Sequence, residues 1–203
     1  MPTSSKISVL NAPDSSHTFS RRELAQKLIS GLAAGLASPL SFSFHPIRRY
    51  LLNAALLDSA DIHLLANGKP LLLSKQQLAA LDLLSEAIIT GARKSQAASF
   101  IDVLLSADSQ EVQQGFLASL NAFETASQDK FHATLASLSA AQLHDLLVDL
   151  SAATAPDHHH FNNLKDWIAG AYYSSEIGMR ELGWTPDRVF SQFPSCPHPE
   201  GHV

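Results

Sequence analysis

From Ser74 onward, apolar residues return at steps of three and four, and strict alternation never lasts beyond a few residues. That period places the apolar side chains on one face of an α-helix and argues against a body built on sheets. Ser74-Lys75-Gln76-Gln77 opens the pattern as a capping box: the Ser hydroxyl can accept from an orphan N–H of the first turn while Gln77 reaches back. Leu78, Leu81, Leu84 and Ile88 then form one stripe, with the small Ser85 beside it, and Gly91 ends it. Ser95 opens a second stripe through Ala98, Ile101 and Leu105. Asp108 or Ser109 starts a third, carried by Val112, Phe116, Leu120 and Phe123. Ser139-Ala140-Ala141-Gln142 repeats the capping box ahead of Leu143, Leu146, Leu147 and Leu150, and Phe161, Leu164, Ile168, Ala171 and Tyr172 continue the theme. Leu71-Leu72-Leu73 is the best strand candidate, and three residues are too few to matter. The expected fold is all-α, a compact bundle of about five to seven short helices. An irregular, Pro-rich tail follows from Phe193 to Val203.

The linkers, Gly68-Lys69-Pro70, Ala107-Asp108 and Ala155-Pro156-Asp157, are too short to separate domains. Residues 1–45 read as a leader and residues 46–203 as one helical domain, of a size that can bury a sizeable core. Charge is divided unevenly. Residues 1–50 carry six Lys or Arg against two Asp or Glu, and residues 51–203 carry eight against seventeen. So acidic a body repels phosphate, which excludes nucleic acid as the expected partner. Cys196 is the only cysteine, so no internal disulfide can form.

The leader has its own pattern. Ser20-Arg21-Arg22-Glu23-Leu24 follows a polar, Ser-rich start, and Lys27 precedes an uncharged stretch from Leu28 to Phe44. Arg21 and Arg22 thus read as a twin-arginine export signal, the address used by proteins that cross a membrane already folded. A second pair, Arg48-Arg49, lacks the uncharged run, because Asp58 and Asp61 interrupt it. Gly35-Leu36-Ala37 would allow a cut before Ser38 at a weak site. Uncut, the segment is too short and too rich in Gly and Ser for a comfortable span of about 20 apolar residues. Export implies a periplasmic location, with association at the outer face of the inner membrane as a further expectation.

Reactive constellations are few. His158-His159-His160, Cys196, His198 and His202 are zinc or copper ligand types, but neighbours on a helix are turned by about 100 degrees and cannot converge. A solvated helix start and a polar tail is the better reading, with an independent periplasmic metal-binding protein as the alternative. Asp145 and Asp149 share a helix face opposite the leucines and read as a solvated acidic surface. There is no Gly-x-Ser-x-Gly elbow, no Gly-x-Gly-x-x-Gly, no Walker loop and no Cys-x-x-Cys-His. Catalytic, cofactor-binding and metal-ligating residues are therefore all expected to be absent from this chain. Six aromatics, Trp167, Tyr172, Tyr173, Trp184, Phe190 and Phe193, crowd the C-terminal third. Most should fill the core, with at least one left to meet a partner, and Tyr172, Tyr173 and Trp184 are the candidates.

The same third carries a resemblance. Phe161-Asn162-Asn163-Leu164-Lys165, the run Gly170-Ala171-Tyr172-Tyr173-Ser174-Ser175-Glu176-Ile177-Gly178, Glu181-Leu182-Gly183-Trp184 and Cys196-Pro197-His198-Pro199-Glu200 resemble the gluconate 2-dehydrogenase subunit 3 family. The likeness extends upstream through Leu78 to Gly91, the Phe100-Ile101-Asp102 segment and the leader. It implies a non-catalytic small subunit that accompanies a flavoprotein of the glucose-methanol-choline type, with FAD held by that partner. A c-type cytochrome with haem c is implied as a third subunit, and the small chain supplies the export signal read by the twin-arginine translocase.

Overall fold

The computed structural model describes residues 20–23, 46–66 and 68–183. Eight α-helices follow one another among them: α1 (Arg48–Leu51), α2 (Ala54–Leu65), α3 (Lys75–Ile88), α4 (Ala97–Ser106), α5 (Gln110–Phe131), α6 (Ala140–Ser151), α7 (His158–Tyr173) and α8 (Glu176–Glu181). A 3₁₀ turn, Leu135–Ser137, links α5 to α6, and no strand occurs among the described residues. The all-α reading stands, with the four-residue α1 taking the count one above the expected range. No helix among the described residues is long and apolar enough to cross a membrane.

The helix starts follow from the caps. Ser74 and Ser139 each accept from the N–H three residues on, and Gln77 and Gln142 complete both boxes. Ser109, not Asp108, caps α5, accepting from Val112 N–H. The start of α4 differs from expectation. Ser95 does not cap it, because its hydroxyl donates to the carbonyl of Ala92, and the cap position belongs to Gln96 in the left-handed region at φ 56°. That turn also requires Gly91 at φ 94°.

Two helices form the centre. Ala97, Ala98 and every residue from Phe100 to Leu105 are buried, so α4 is covered on all sides by α2, α3 and α7. In turn α7 packs on α3, α4, α5, α6 and α8. Its expected stripe is buried at Leu164, Ile168, Ala171 and Tyr172. Trp167, which a single stripe would have turned outward, is only 2% exposed. It stands edge-on to Phe116 at 5.7 Å between centroids and 6.0 Å from Tyr50, because α5 and the α1 segment cover a second face of α7. The buried side chains of all these helices form one connected cluster.

Leu71-Leu72-Leu73 forms no strand. Asp102, 1% exposed on α4, accepts the backbone N–H groups of Leu71, Leu72 and Leu73 at 2.6, 3.0 and 2.7 Å. A carboxylate from thirty residues away thus fixes this bend and drops Leu73 into the core.

Candidate functional site

His158, His159 and His160 form the first turn of α7, where the His159 and His160 rings lie 3.8 Å apart between centroids and His158 stacks on Phe161. His160 Nδ1 lies 3.0 Å from Ser119 Oγ, and Asn163 Nδ2 donates to the same oxygen at 2.8 Å. This is no nucleophile and base. Ser119 is 1% exposed, and its one proton also faces the carbonyl of Gly115 at 3.1 Å, so the trio ties α5 to α7. Burial, and then the neighbouring His159, hold His160 below the usual imidazole range. No group of three or more His, Cys, Asp or Glu among the described residues is gathered to hold a metal ion. Cys196, His198 and His202 lie outside those residues. Asp145 and Asp149 are exposed, with Asp149 paired to Lys130 at 2.6 Å. A groove of about 500 Å³ beside them, lined by Ala126, Lys130, Leu146, Asp149 and Pro156 among others, brings no catalytic set together.

The most developed polar site lies at the C-terminus of α7, and its occupant comes from residues 20–23. Residues Arg21–Glu23 are helical, and Ser20 caps them: Glu23 N–H donates to Ser20 Oγ at 3.2 Å while Ser20 N–H donates to Glu23 Oε2 at 3.0 Å. Arg21 then points inward and is 6% exposed. Its Nη1 donates to the carbonyl of Ala171 at 3.0 Å and to Ser174 Oγ at 3.1 Å, and Nη2 donates to the carbonyl of Ser95 at 2.8 Å. The Ala171 carbonyl is one of those a helix end leaves without an intrahelical partner, where the helix dipole favours a cation. Below, the guanidinium lies 3.8 Å from the centroid of Phe100. Asp61 of α2 accepts the Arg21 backbone N–H at 3.0 Å. Burial lowers Arg21 to about 10, partly offset by the Asp61 charge, so it remains a cation at neutral pH. Burial likewise pushes the Asp61 carboxyl up, against the lowering influence of the Arg21 N–H and charge. Arg22 faces outward and pairs with Asp58 at 2.6 Å.

Next to this seat, α7 turns into α8. Ser175 caps α8 by accepting from Gly178 N–H and donates to the carbonyl of Tyr172 at 2.6 Å. Gly178 crosses so near that a Cβ would stand 2.4 Å from the Tyr172 carbonyl oxygen. The Tyr172 hydroxyl donates to Glu181 at 2.8 Å, and burial, reinforced by Glu181, pushes it up to about 12. The run from Gly170 to Gly178 therefore encodes one compact junction. A family described as gluconate 2-dehydrogenase subunit 3 matches residues 75–187, more than half of the chain.

The chain belongs to the gluconate 2-dehydrogenase subunit 3 family. No curated protein and no solved structure matches it. The matched span begins at the first residue of α3 and takes in all of α3 to α8, including the Ala171 and Ser174 side of the Arg21 seat. As a gluconate 2-dehydrogenase subunit 3 protein it is of the accessory-subunit type, with a partner within a dehydrogenase complex.

Three residues were expected at a partner surface. Tyr172 is 3% exposed and its ring fills the core, so as folded it offers no surface. Tyr173, against it at 5.0 Å between centroids, is 36% exposed. Trp184 lies outside the described residues. Sequence reasoning missed the Arg21 seat, because its acceptors are main-chain carbonyls that any residue supplies. One signal was available: Ser20-Arg21-Arg22-Glu23 is itself a capping box.

Proposed function

We propose that this chain is the non-catalytic small subunit of an exported, flavin-dependent dehydrogenase complex of the glucose-methanol-choline type. It binds the folded, FAD-loaded large subunit in the cytoplasm, presents its own twin-arginine leader to the translocase, and stays in the periplasmic complex. A c-type cytochrome carrying haem c completes that assembly. The observation that carries this reading is the family match over residues 75–187, the span that holds the central helices. The Arg21-Arg22 pair and the uncharged stretch after Lys27 support the export role. Tyr173, exposed at the end of α7, is the described residue best suited to meet the flavoprotein.

Arg22 gives the cleaner export test, because Arg21 also has contacts inside the fold. Arg22→Lys, in cells making both proteins, should leave the chain and the flavoprotein together in the cytoplasm, measured by fractionation and flavin content. Normal periplasmic flavoprotein in that strain would sink the proposal.

A further inference from the structure

The Arg21 seat is more than a surface contact. It supplies two main-chain carbonyls, one hydroxyl and an aromatic face to a single guanidinium. They come from the loop before α4, from α4 itself and from the end of α7. The acceptors lie on more than one side of the flat, forked cation, which an ammonium group cannot reproduce. Arg22, the other half of the pair, stands in solvent with Asp58. A receptor that must read both arginines cannot do so while one of them is enclosed.

We propose that this site is an intramolecular latch: the folded body holds Arg21, and the arginine pair becomes readable only when the leader is lifted from the end of α7. The latch rests on the export reading for its purpose and on the Arg21 contacts for its existence, and the two parts are tested separately. Ser174→Ala removes one acceptor of the guanidinium, and Asp61→Asn removes the negative charge beside it while leaving the leader sequence intact.

The first measurement is the rate at which phenylglyoxal modifies Arg21 and Arg22 in the purified full-length chain, resolved by peptide mass spectrometry. Arg21 should react about tenfold more slowly than Arg22, as expected for a group held by hydrogen bonds to a charge, and the double variant should close most of that gap. Equal rates in the unaltered chain would overturn the latch. So would a gap that the double variant leaves unchanged while circular dichroism shows both proteins folded. Ser174→Ala alone, a mild change, guards against a double variant that fails to fold and should narrow the gap part-way.

The second measurement is export of the chain made without its partner. The double variant should reach the periplasm several times faster than the unaltered chain. An unchanged rate, with Arg21 shown to be freed, overturns the latch and leaves the export reading standing. If no variant is exported and Arg22→Lys changes nothing, the export reading falls and the latch with it, and Arg21 is a core anchor only.

Discussion

Asp102 shows how much one side chain can organise. It lies within the core, yet its oxygens are occupied by three N–H donors from a segment that would otherwise have no regular partner. Removing the carboxylate leaves those donors unmatched, the Leu73 N–H fully buried and the other two partly so. Asp102→Ala should lower stability by about 1–3 kcal/mol in urea unfolding, with the loss falling on the 71–73 bend in hydrogen exchange. Gly178 works by what it lacks. Its neighbour at 2.4 Å is backbone, which cannot step aside, so Gly178→Ala should displace α8 and reduce stability by about 1–3 kcal/mol. A substitution at Gly115, whose Cβ would meet nothing within 4 Å, is the control that should change little.

At the scale of the element, the capped helix starts and the apolar stripes were legible because their causes are local. Ser74 with Gln77 and Ser139 with Gln142 lie within a single turn, and Leu81, Leu84, Leu146 and Leu150 repeat within two. What could not be read is what arrives from far along the chain: the Asp102 tether on the leucine triplet, the second buried face of α7 that takes Trp167, and the seat of Arg21. Ser95 misled for a related reason, since its hydroxyl turned back to Ala92 instead of forward into α4.

Two joints between elements should respond to pH. Glu86 on α3 accepts Gly91 N–H at 3.0 Å and Arg93 N–H at 2.9 Å, and these bonds hold its carboxyl below the ordinary value. A depressed folded value means that its contribution is present above about pH 4.5 and fades as pH falls through the folded value. Glu86→Gln should flatten that acid limb in denaturant midpoints. Tyr172 has the opposite sign. Raised from 10.0 to about 12, it contributes below pH 10 and loses that contribution as pH climbs toward 12. Arg21, lowered to about 10, gives an opposing trend over the same alkaline range, because the unfolded chain then binds the extra proton. The two are separable by Tyr172→Phe, whose stability should fall less than that of the unaltered protein between pH 10 and 12.

For the molecule as a whole, the described surface carries several large apolar side chains, and Tyr173 is the aromatic one, set inside the Gly170–Gly178 run within the matched span. Tyr173→Ala gives up the packing on Tyr172 and should lower stability modestly while leaving the chain folded, yet weaken capture of the proposed flavoprotein partner roughly tenfold, as loss of an aromatic anchor does. Equal capture by both proteins would direct the search to another face. The family assignment was legible in the sequence because the junction of α7 and α8 has little freedom: Tyr172, Ser175 and Gly178 are each fixed by a contact within that turn.

The two carbonyls that hold Arg21 belong to Ser95 and Ala171, and the second lies 150 residues further along the chain. Arg21 leaves the ribosome before its seat exists, and the seat is finished only once Ala171 and Ser174 have been made. A product truncated before Ala171 would carry Arg21 with nowhere to stow it, so occupancy of the seat is a record that synthesis has passed the end of α7.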